Sequence, residues 1–397
     1  MIGAEGNIAS ITIHRGARQI GGSVTEIAIG DTKVFIDIGE NLPGSSVELP
    51  QINGLTVGDG KGSALFLSHY HNDHIGELKN VLEEVTVFVG KTAKAIQMNL
   101  VKRVDPACLF AYERINTFIP LDRVKIGPIT IIPLMIDHSA FDAYMFIIDT
   151  GERRILHTGD FRLHGKRGNA TLKMLSVYAK NIDYIICEGT MLSRTGESPM
   201  SEYELQQKAA KMMKSSKYVF VLCSSTHIDR IGAFYHANPE GRLFVCDEYQ
   251  KSQLDTVRAD HAGKSSFYDF VGIKTYAKNL DVYMEKKGFC MLIRATPYFS
   301  PILEKYKGRS LLVYSMWTGY LDDHARNNDL CNFLSPYEYR ILHTSGHATP
   351  DDLKLVYDAV NPKRGLIPIH TESPEMFNEV IPYGKIIYLK DGEKFII

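Results

Sequence analysis

A run of metal-binding side chains lies within six positions, from His69 to His74. It contains three histidines, His69, His71 and His74, and one carboxylate, Asp73. Imidazole and carboxylate groups are ligands that zinc prefers. The run follows the apolar segment 64–67 and precedes apolar residues at helical spacing over 75–82. The pattern therefore predicts a metal site on a strand-to-helix turn, where layered α/β folds expose their chemistry.

Three isolated residues of the same types follow short apolar runs farther along the chain. They are His138 after 129–136, Asp160 after 154–156, and His370 after 365–369. Each lies where a predicted strand ends, beside small or turn-forming residues. Together with the run at 69–74, they supply enough ligands for two metal ions.

Composition excludes several classes of protein. With 44% hydrophobic and 23% charged residues, the chain is typical of globular proteins, and a net charge of −1 gives no global attraction for polyanions. Six cysteines without a CxxC pair disfavour a thiolate zinc site and a disulfide framework. No apolar run reaches the length of about 18 residues that a membrane span needs. We expect a cytoplasmic protein without a membrane partner.

The order of predicted elements is typical of an α/β protein with two domains, or one domain with a large insertion. Strands are predicted at 8–14, 24–29, 33–38 and 64–67, and later at 218–223, 243–246, 310–314 and 365–369. Helices are predicted from the capping box at Ser201 to about Lys214, over 228–236, and from Thr349-Pro350 to about Val360.

These ligands, in this order, resemble the metallo-β-lactamase superfamily. The matching pattern is His69-x-His71-x-Asp73-His74, then His138, Asp160 and His370. The resemblance implies an αββα sandwich with one Zn²⁺ on His69, His71 and His138. It implies a second Zn²⁺ on Asp73, His74 and His370, with Asp160 bridging, and Asp37 as an outer carboxylate that orients ligands. Mn²⁺ is an alternative metal for such ligands.

The long gap between Asp160 and His370 leaves room for an inserted domain. Glu188-Gly189-Thr190 and His347 match motifs of the β-CASP subgroup, whose members act on nucleic acids. The resemblance implies an α/β fold in which an α/β β-CASP domain at 193–341 interrupts the sandwich. Residues 1–192 are then the first part of the metallo-β-lactamase domain, and 342–397 are its C-terminal part.

Within that subgroup, the stretches 343–348 and 368–370 resemble ribonuclease J. The segment Ser224–Arg230 resembles that family's phosphate-contact turn. The resemblance makes five residues candidates for holding phosphate: Ser225, Thr226, Arg230, His343 and Ser345. For Ser225 and Thr226, capping of a helix is an equal alternative. The C-terminal domain that ribonucleases J carry after the last motif is not expected here.

The residues suit phosphodiester hydrolysis. Two divalent ions about 3.5–4 Å apart neutralise the phosphate and lower the pKa of water. The predicted catalytic residues are Asp73, His347 as general acid, and Glu188, which orients His347 or shares its proton. The alternative for His347 is a loop histidine bonded to backbone.

We therefore predict a zinc-dependent ribonuclease that cuts RNA, single-stranded by preference, internally or from the 5′ end. Three alternatives stay open: a DNA nuclease, a metallohydrolase for a small phosphoester or acyl substrate, and a silent nucleic-acid-binding scaffold. Assembly into a homo-oligomer is a further open prediction.

Overall fold

The computed structural model describes residues 8–42, 45, 48–194, 199–322 and 326–397. The chain divides into two compact units. The first, which we call the sandwich unit, comprises Met1–Leu163, Arg167–Ser198 and Gly346–Ile397. The second unit comprises His164–Lys166 and Pro199–Ser345. The domain limits at 193 and 341, inferred from motifs, stay a prediction.

The described residues form nineteen strands. In chain order they are β1 (Ala9–Arg15), β2 (Val24–Ile29), β3 (Thr32–Ile36), β4 (Ser63–Phe66), β5 (Thr86–Gly90), β6 (Asn116–Phe118), β7 (Val124–Ile126), β8 (Ile129–Ile136), β9 (Ala143–Asp149), β10 (Arg154–His157), β11 (Tyr184–Glu188), β12 (Tyr218–Leu222), β13 (Leu243–Cys246), β14 (Lys274–Thr275), β15 (Phe289–Ile293), β16 (Leu311–Tyr314), β17 (Tyr339–Ile341), β18 (Gly365–Ile369) and β19 (Lys394–Ile396).

Twelve α-helices lie in the same described residues. They are α1 (Asn72–Ile75), α2 (Lys91–Val104), α3 (Leu109–Glu113), α4 (Gly168–Tyr178), α5 (Glu202–Lys214), α6 (Ile228–Ala237), α7 (Glu248–His261), α8 (Asp281–Lys287), α9 (Ser300–Lys305), α10 (Asn328–Leu334), α11 (Pro350–Val360) and α12 (Phe377–Val380). Each helix of this described part is too short or too polar to span a membrane.

Two sheets face each other in the sandwich unit. The first has the order β19-β1-β2-β3-β4-β5-β6, and the second has the order β18-β11-β10-β9-β8-β7. Side chains of both sheets form one core, in which Phe66 of β4 meets Phe146 of β9 with ring centroids 5.8 Å apart. Burial of such apolar surface is the main stabilising term, at about 25 cal/mol per Å².

Helices cover the outer faces of the two sheets. α2 lies against β5, while Leu175 of α4 and Val356 of α11 pack on Leu134 and Leu156 of the second sheet. The order of layers is helix, sheet, sheet, helix, so the predicted αββα sandwich is confirmed.

The second unit has one parallel sheet, ordered β14-β13-β15-β12-β16-β17. Its central strand β12 has the sequence YVFVL, and all five residues are buried. A continuous apolar strand is typical of a parallel sheet covered on both faces. The capping box predicted at Ser201 begins α5, and the predicted N-cap residue Thr349 begins α11, where it also forms a capping box.

One predicted helix is wrong. The apolar spacing over 75–82 suggested a helix, but α1 ends at Ile75 and only a 3₁₀ turn, Leu78–Asn80, follows. Neighbouring loops use the backbone groups that the helix would need. Asp73 O accepts from Ser23 N at 3.3 Å, His74 O accepts from Ile38 N at 2.8 Å, and Glu77 N donates to Ile38 O at 3.1 Å. Tertiary hydrogen bonds thus override the local spacing.

Candidate metal centre

The predicted ligands come together at one edge of the sandwich unit, near the ends of four elements. The loop after β4 and the short α1 carry the run at 69–74, and β8, β10 and β18 deliver the isolated ligands. Their donor atoms form two groups, within each of which all donors lie within 4.8 Å of one another: His69, His71 and His138, then Asp73, His74, Asp160 and His370. These are the two sets that the resemblance implied.

The first group consists of three imidazoles that face a common point. His71 Nδ1 lies 3.1 Å from His69 Nε2 and 3.2 Å from His138 Nε2. His69 and His138 are fully buried. Burial lowers the pKa of both well below the usual value and lowers that of His71 to about 4. The three rings are therefore neutral at physiological pH, the form that binds a metal.

The second group adds two carboxylates. His74 Nε2 lies 3.0 Å from Asp160 Oδ2, and His370 Nε2 lies 3.3 Å from Asp73 Oδ2. Burial opposes the charged forms, but the neighbouring histidines hold the pKa of Asp73 and Asp160 below the usual range. Asp160 also lies within 4.0 Å of His69 Nε2. It is therefore placed between the two groups, as a bridging ligand must be.

Hydrogen bonds at the other ring nitrogens fix two of the histidines. Asp37 Oδ2 lies 2.8 Å from His74 Nδ1 and accepts at 2.8 Å from Ser68 Oγ. Because the Ser68 hydroxyl donates to Asp37, it accepts from His69 Nδ1 at 3.0 Å. The Nε2 atoms of His69 and His74 are then left to face the centre. Asp37 reaches this position with a φ of 64°, a strained conformation for a residue with a Cβ.

Two partners that the sequence reasoning did not assign fix the other rings. His138 Nδ1 donates to the carbonyl of Gly346 at 2.6 Å. The Thr190 hydroxyl donates to His370 O, so it accepts from His370 Nδ1 at 2.8 Å. Thr190 belongs to the Glu188-Gly189-Thr190 motif, which was a usable signal. The sequence carries no signal for the Gly346 carbonyl, because every residue has a backbone oxygen.

The donor set fits a metal ion. With Nδ1 of His69 and of His138 donating elsewhere, their Nε2 atoms present lone pairs that can bind a cation. In the second group, the buried Asp160 Oδ1 has no hydrogen-bond partner among the described residues. An unpaired carboxylate oxygen at such a depth is costly unless a cation binds it.

A third set of side chains adjoins the second group. His347 Nδ1 lies 3.2 Å from Glu188 Oε2 and 3.6 Å from Asp160 Oδ2. Burial opposes protonation of His347, but these two carboxylates outweigh it and raise its pKa. Glu188 is fully buried and accepts the backbone N–H of Phe161 at 2.8 Å, which fixes its position. The two carboxylates therefore favour the protonated form of His347 next to the centre.

Arg15, which the sequence reasoning missed, braces the loop that carries Asp73. Its buried guanidinium donates to the carbonyl of Gly22 at 2.6 Å and to that of Gly39. Gly39 packs on the ligand loop so closely that a Cβ there would lie 1.6 Å from Asp73 O. The chain next to Arg15 also holds another ligand, because His370 N donates to Gly16 O at 2.7 Å.

The predicted phosphate residues lie in the second unit, where Arg230 is committed to internal contacts. Its guanidinium is fully buried and pairs with Glu202 at 2.9 Å. It also donates to Ser315 Oγ at 2.8 Å and to Thr344 O at 3.0 Å, and lies 3.2 Å from His343 Nδ1. This geometry gives Arg230 a structural task, and the role of Arg230 and of His343 as phosphate ligands stays a prediction.

The turn before α6 is different. Ser225 Oγ is buried and has no hydrogen-bond partner among the described side chains and backbone. Thr226 Oγ1 lies 3.0 Å from Ser224 Oγ. Neither Ser225 nor Thr226 caps α6, whose N-cap residue is His227. The remaining candidate, Ser345, accepts at its carbonyl from His164 Nε2 at 2.9 Å.

Comparison with known proteins agrees with this geometry. Residues 18–224, just over half of the chain, match the metallo-beta-lactamase superfamily. A ribonuclease J of Mycoplasma pneumoniae is 23% identical over 96% of this chain and 73% of its own length. A ribonuclease J of Helicobacter pylori is 24% identical over 97% of this chain and 60% of its own length. Both support the prediction of a metal-dependent hydrolase.

A solved structure supports the fold alone. A protein of unknown function from Enterococcus faecalis V583 superposes with a TM-score of 0.77 at 22% identity. The match covers 98% of this chain and all of the other one. A chain of similar extent therefore has a similar fold.

Proposed function

Because the chain belongs to the metallo-beta-lactamase superfamily, we propose that it is a two-metal ribonuclease of the β-CASP type. The observation that carries this proposal is the orientation of the histidines. Four of the five ligand rings donate one nitrogen to a neighbouring oxygen and turn the other toward the centre. A hydrogen bond at the outer ring nitrogen orients a histidine ligand and makes its other nitrogen a stronger ligand.

The ion-binding residues follow from the two groups of donors. His69, His71 and His138 would hold one ion, and Asp73, His74 and His370 would hold the other, with Asp160 between them. Zinc is the proposed metal because imidazole and carboxylate ligands suit it, and Mn²⁺ is the alternative. When bound, two such ions would neutralise the phosphodiester and lower the pKa of water so that it attacks at neutral pH.

The chain's own side chains supply the proton for the leaving oxygen. Glu188 and Asp160 raise the pKa of His347 and so favour its protonated form. Glu188, fixed by the N–H of Phe161, keeps the imidazole in one orientation. His347 is therefore the proposed general acid, and Glu188 is its positioning residue.

RNA is the proposed substrate because the relatives that match over most of the chain are named ribonuclease J. Ser225 supports a polyanionic substrate, since its buried hydroxyl lacks a partner and a phosphate oxygen would provide one. Thr226 and Ser345 stay candidates for the same contact. Preference for single strands, a cytoplasmic location and assembly into oligomers are carried forward as predictions.

The decisive assay uses the full chain with labelled RNA and DNA of one sequence, bearing either a 5′-phosphate or a 5′-hydroxyl. We expect RNA hydrolysis that depends on Zn²⁺ or Mn²⁺ and stops with a chelator. Release of mononucleotides from 5′-phosphate RNA alone indicates a 5′-exonuclease, and fragments of intermediate length indicate internal cleavage. Equal or faster cleavage of DNA would favour the DNA alternative.

The matched control replaces Asp73 and His74 by alanine and leaves the first group of ligands in place. We expect this variant to fold, to bind less metal and to cleave no RNA. If the native protein loaded with either metal cleaves neither polymer, the nuclease proposal is wrong. A p-nitrophenyl phosphodiester tested in parallel then examines the alternative of a small substrate.

A further inference from the structure

A row of cations lies at one edge of the parallel sheet of the second unit. The strands β13, β15, β12 and β16 run parallel, so the residues that precede them share the N-terminal edge. Two helices also end here with lysines in their last turns, α5 and α8. We call the following exposed residues the basic edge: Lys214, Lys217, Lys286, Lys287 and Arg309.

Backbone contacts show that this edge is continuous. Phe289 N donates to Lys217 O at 3.1 Å, and Leu243 N donates to Gly288 O at 3.2 Å. At Gly288 the φ is +76° and a Cβ would lie 2.6 Å from Lys217 O, so the end of α8 and the start of β12 are in direct contact. Glycine is required here for both reasons.

The Tyr218 ring joins the other side of the edge. Lys217 Nζ lies 5.5 Å from the ring centroid, and Arg309 Cζ lies 5.1 Å from it. Arg242, which precedes β13, donates to Met213 O at 2.8 Å and to Ser216 O at 2.7 Å. These bonds hold the end of α5 against the start of β13. The cations thus occupy one surface and not separate patches.

The positive charge of this edge is only partly compensated. Arg309 pairs with Glu285 at 2.8 Å, and Glu240 lies in the loop before β13. Favourable interaction with helix dipoles accounts for a lysine at the end of α5 or α8. It does not account for Lys217 and Arg309, which lie in the loops that lead into strands. The chain as a whole has a net charge of −1, so this local excess does not follow from its overall composition.

An exposed aromatic ring lies among these cations. Tyr283 is 58% exposed, and on α8 it precedes Lys286 and Lys287 by three and four residues. Residues at these spacings share one face of a helix. Aromatic rings between cations are typical of surfaces that bind single-stranded nucleic acid, where bases stack and cations follow the phosphates.

We propose that the basic edge, with Tyr283, binds single-stranded RNA outside the metal centre. The inference rests on the proposed function, because a nuclease substrate longer than the centre has further phosphates to bind. Within the second unit, the Ser225 turn lies at the opposite, C-terminal edge of the same sheet, since it follows β12. The basic edge is therefore a separate contact. It favours binding of long RNA and does not determine which bond is cleaved.

The test compares two triple variants of the full chain in a His347→Asn background, which slows hydrolysis. One is Lys214→Glu/Lys217→Glu/Lys287→Glu, and the control is Lys125→Glu/Lys173→Glu/Lys180→Glu, which makes the same charge change on the sandwich unit. Binding of a long single-stranded RNA is measured by fluorescence anisotropy over a range of salt. The edge variant should bind the RNA at least about tenfold more weakly. The slope of log K against log salt should fall by about 2, because each lost phosphate contact contributes about 0.7.

Two further measurements sharpen the result. Tyr283→Ala should weaken binding about tenfold with the salt slope unchanged, because stacking involves no counterion. With His347 intact, the edge variant should cleave a tetranucleotide at the native rate and long RNA more slowly at low concentration. Equal RNA binding by the edge variant and its control overturns the inference and leaves the nuclease proposal standing. Absence of all hydrolysis overturns only the nuclease proposal, because binding is measured separately.

Discussion

The metal centre and the Arg230 cluster are both buried groups of polar side chains, and both were singled out from the sequence as sites for ligands. They differ in the hydrogen bonds that are already made. In the centre, three imidazole nitrogens converge, and Asp160 Oδ1 has no hydrogen-bond partner among the described residues. Around Arg230, Glu202, Ser315 and Thr344 take up the guanidinium donors.

This difference separates a binding site from a structural network. A buried polar group costs stability unless it is hydrogen-bonded. A buried polar atom without a hydrogen bond in a folded protein therefore indicates a missing partner. Asp160 Oδ1 lacks a hydrogen-bond partner among the described residues of the centre, whereas the guanidinium donors of Arg230 are all bonded within its cluster. Both groups are buried, so burial does not distinguish them, whereas the count of hydrogen-bond partners does.

The largest effect should come from Asp160→Asn, which removes the carboxylate shared by both groups. We expect loss of bound metal and a fall in kcat/KM of about 10³-fold or more, since the ions contribute several kcal/mol. Metal content by plasma mass spectrometry and labelled-RNA kinetics are the measurements. Asp149→Asn, at the partly exposed end of β9, is the control and should retain both. A native metal content in Asp160→Asn would remove the case for a bridging ligand.

Arg230→Met tests the other side of the comparison. The change leaves Glu202 buried without its partner, which should cost about 3–5 kcal/mol in the free energy of unfolding. Urea denaturation measures this cost. Arg364→Met is the matched control, because Arg364 pairs with Asp183 at 3.4 Å and is about half exposed. It should cost about 1 kcal/mol or less. If Arg230→Met instead weakens RNA binding with unfolding unchanged, Arg230 is a phosphate ligand after all.

His347→Asn should act on chemistry alone. Loss of a general acid lowers kcat by about 10²–10³-fold, while metal content and KM stay near native values. The contrast with Asp160→Asn is the informative part, because both residues belong to one continuous polar cluster. A loss of metal in His347→Asn would instead make His347 a ligand, as its proximity to Asp160 permits.

Much of the centre could be predicted because its information is local and strict in residue type. Four ligands lie within six positions, and the others are histidine or aspartate at strand ends. The partners that orient them could not be predicted so directly. Gly346 contributes only a backbone carbonyl, and Arg15 acts through the carbonyls of Gly22 and Gly39, so residue type carries no signal.

The sandwich was predicted from the resemblance of the metal ligands to the metallo-β-lactamase superfamily, but tertiary contacts decided two other points. The predicted helix over 75–82 is interrupted because loop amides take the carbonyls of Asp73 and His74. The role of Arg230 depends on Glu202 and Ser315, which are distant in sequence. Local sequence patterns therefore identify candidate binding residues. The contacts of the folded chain determine which of these residues keep polar atoms available for a ligand.

The smallest predicted effect is a difference in the free energy of unfolding between variants of two adjacent serines, Ser224 and Ser225, in the turn before α6. Ser225→Ala removes a buried hydroxyl that lacks a partner, so the free energy of unfolding should stay unchanged or rise by up to about 1 kcal/mol. Ser224→Ala removes a hydroxyl that is bonded to Thr226, so unfolding should become easier by about 0.5–1.5 kcal/mol. Urea denaturation without RNA distinguishes these signs.

RNA binding should then reverse the order of the two variants. Ser225→Ala should lose about tenfold in affinity for RNA, close to the contribution of one hydrogen bond to a charged phosphate, about 1.4 kcal/mol. Ser224→Ala should bind RNA nearly as the native chain does. If Ser225→Ala destabilises the free protein as much as Ser224→Ala, the Ser225 hydroxyl is bonded within the fold. The turn would then join the Arg230 cluster as a structural feature.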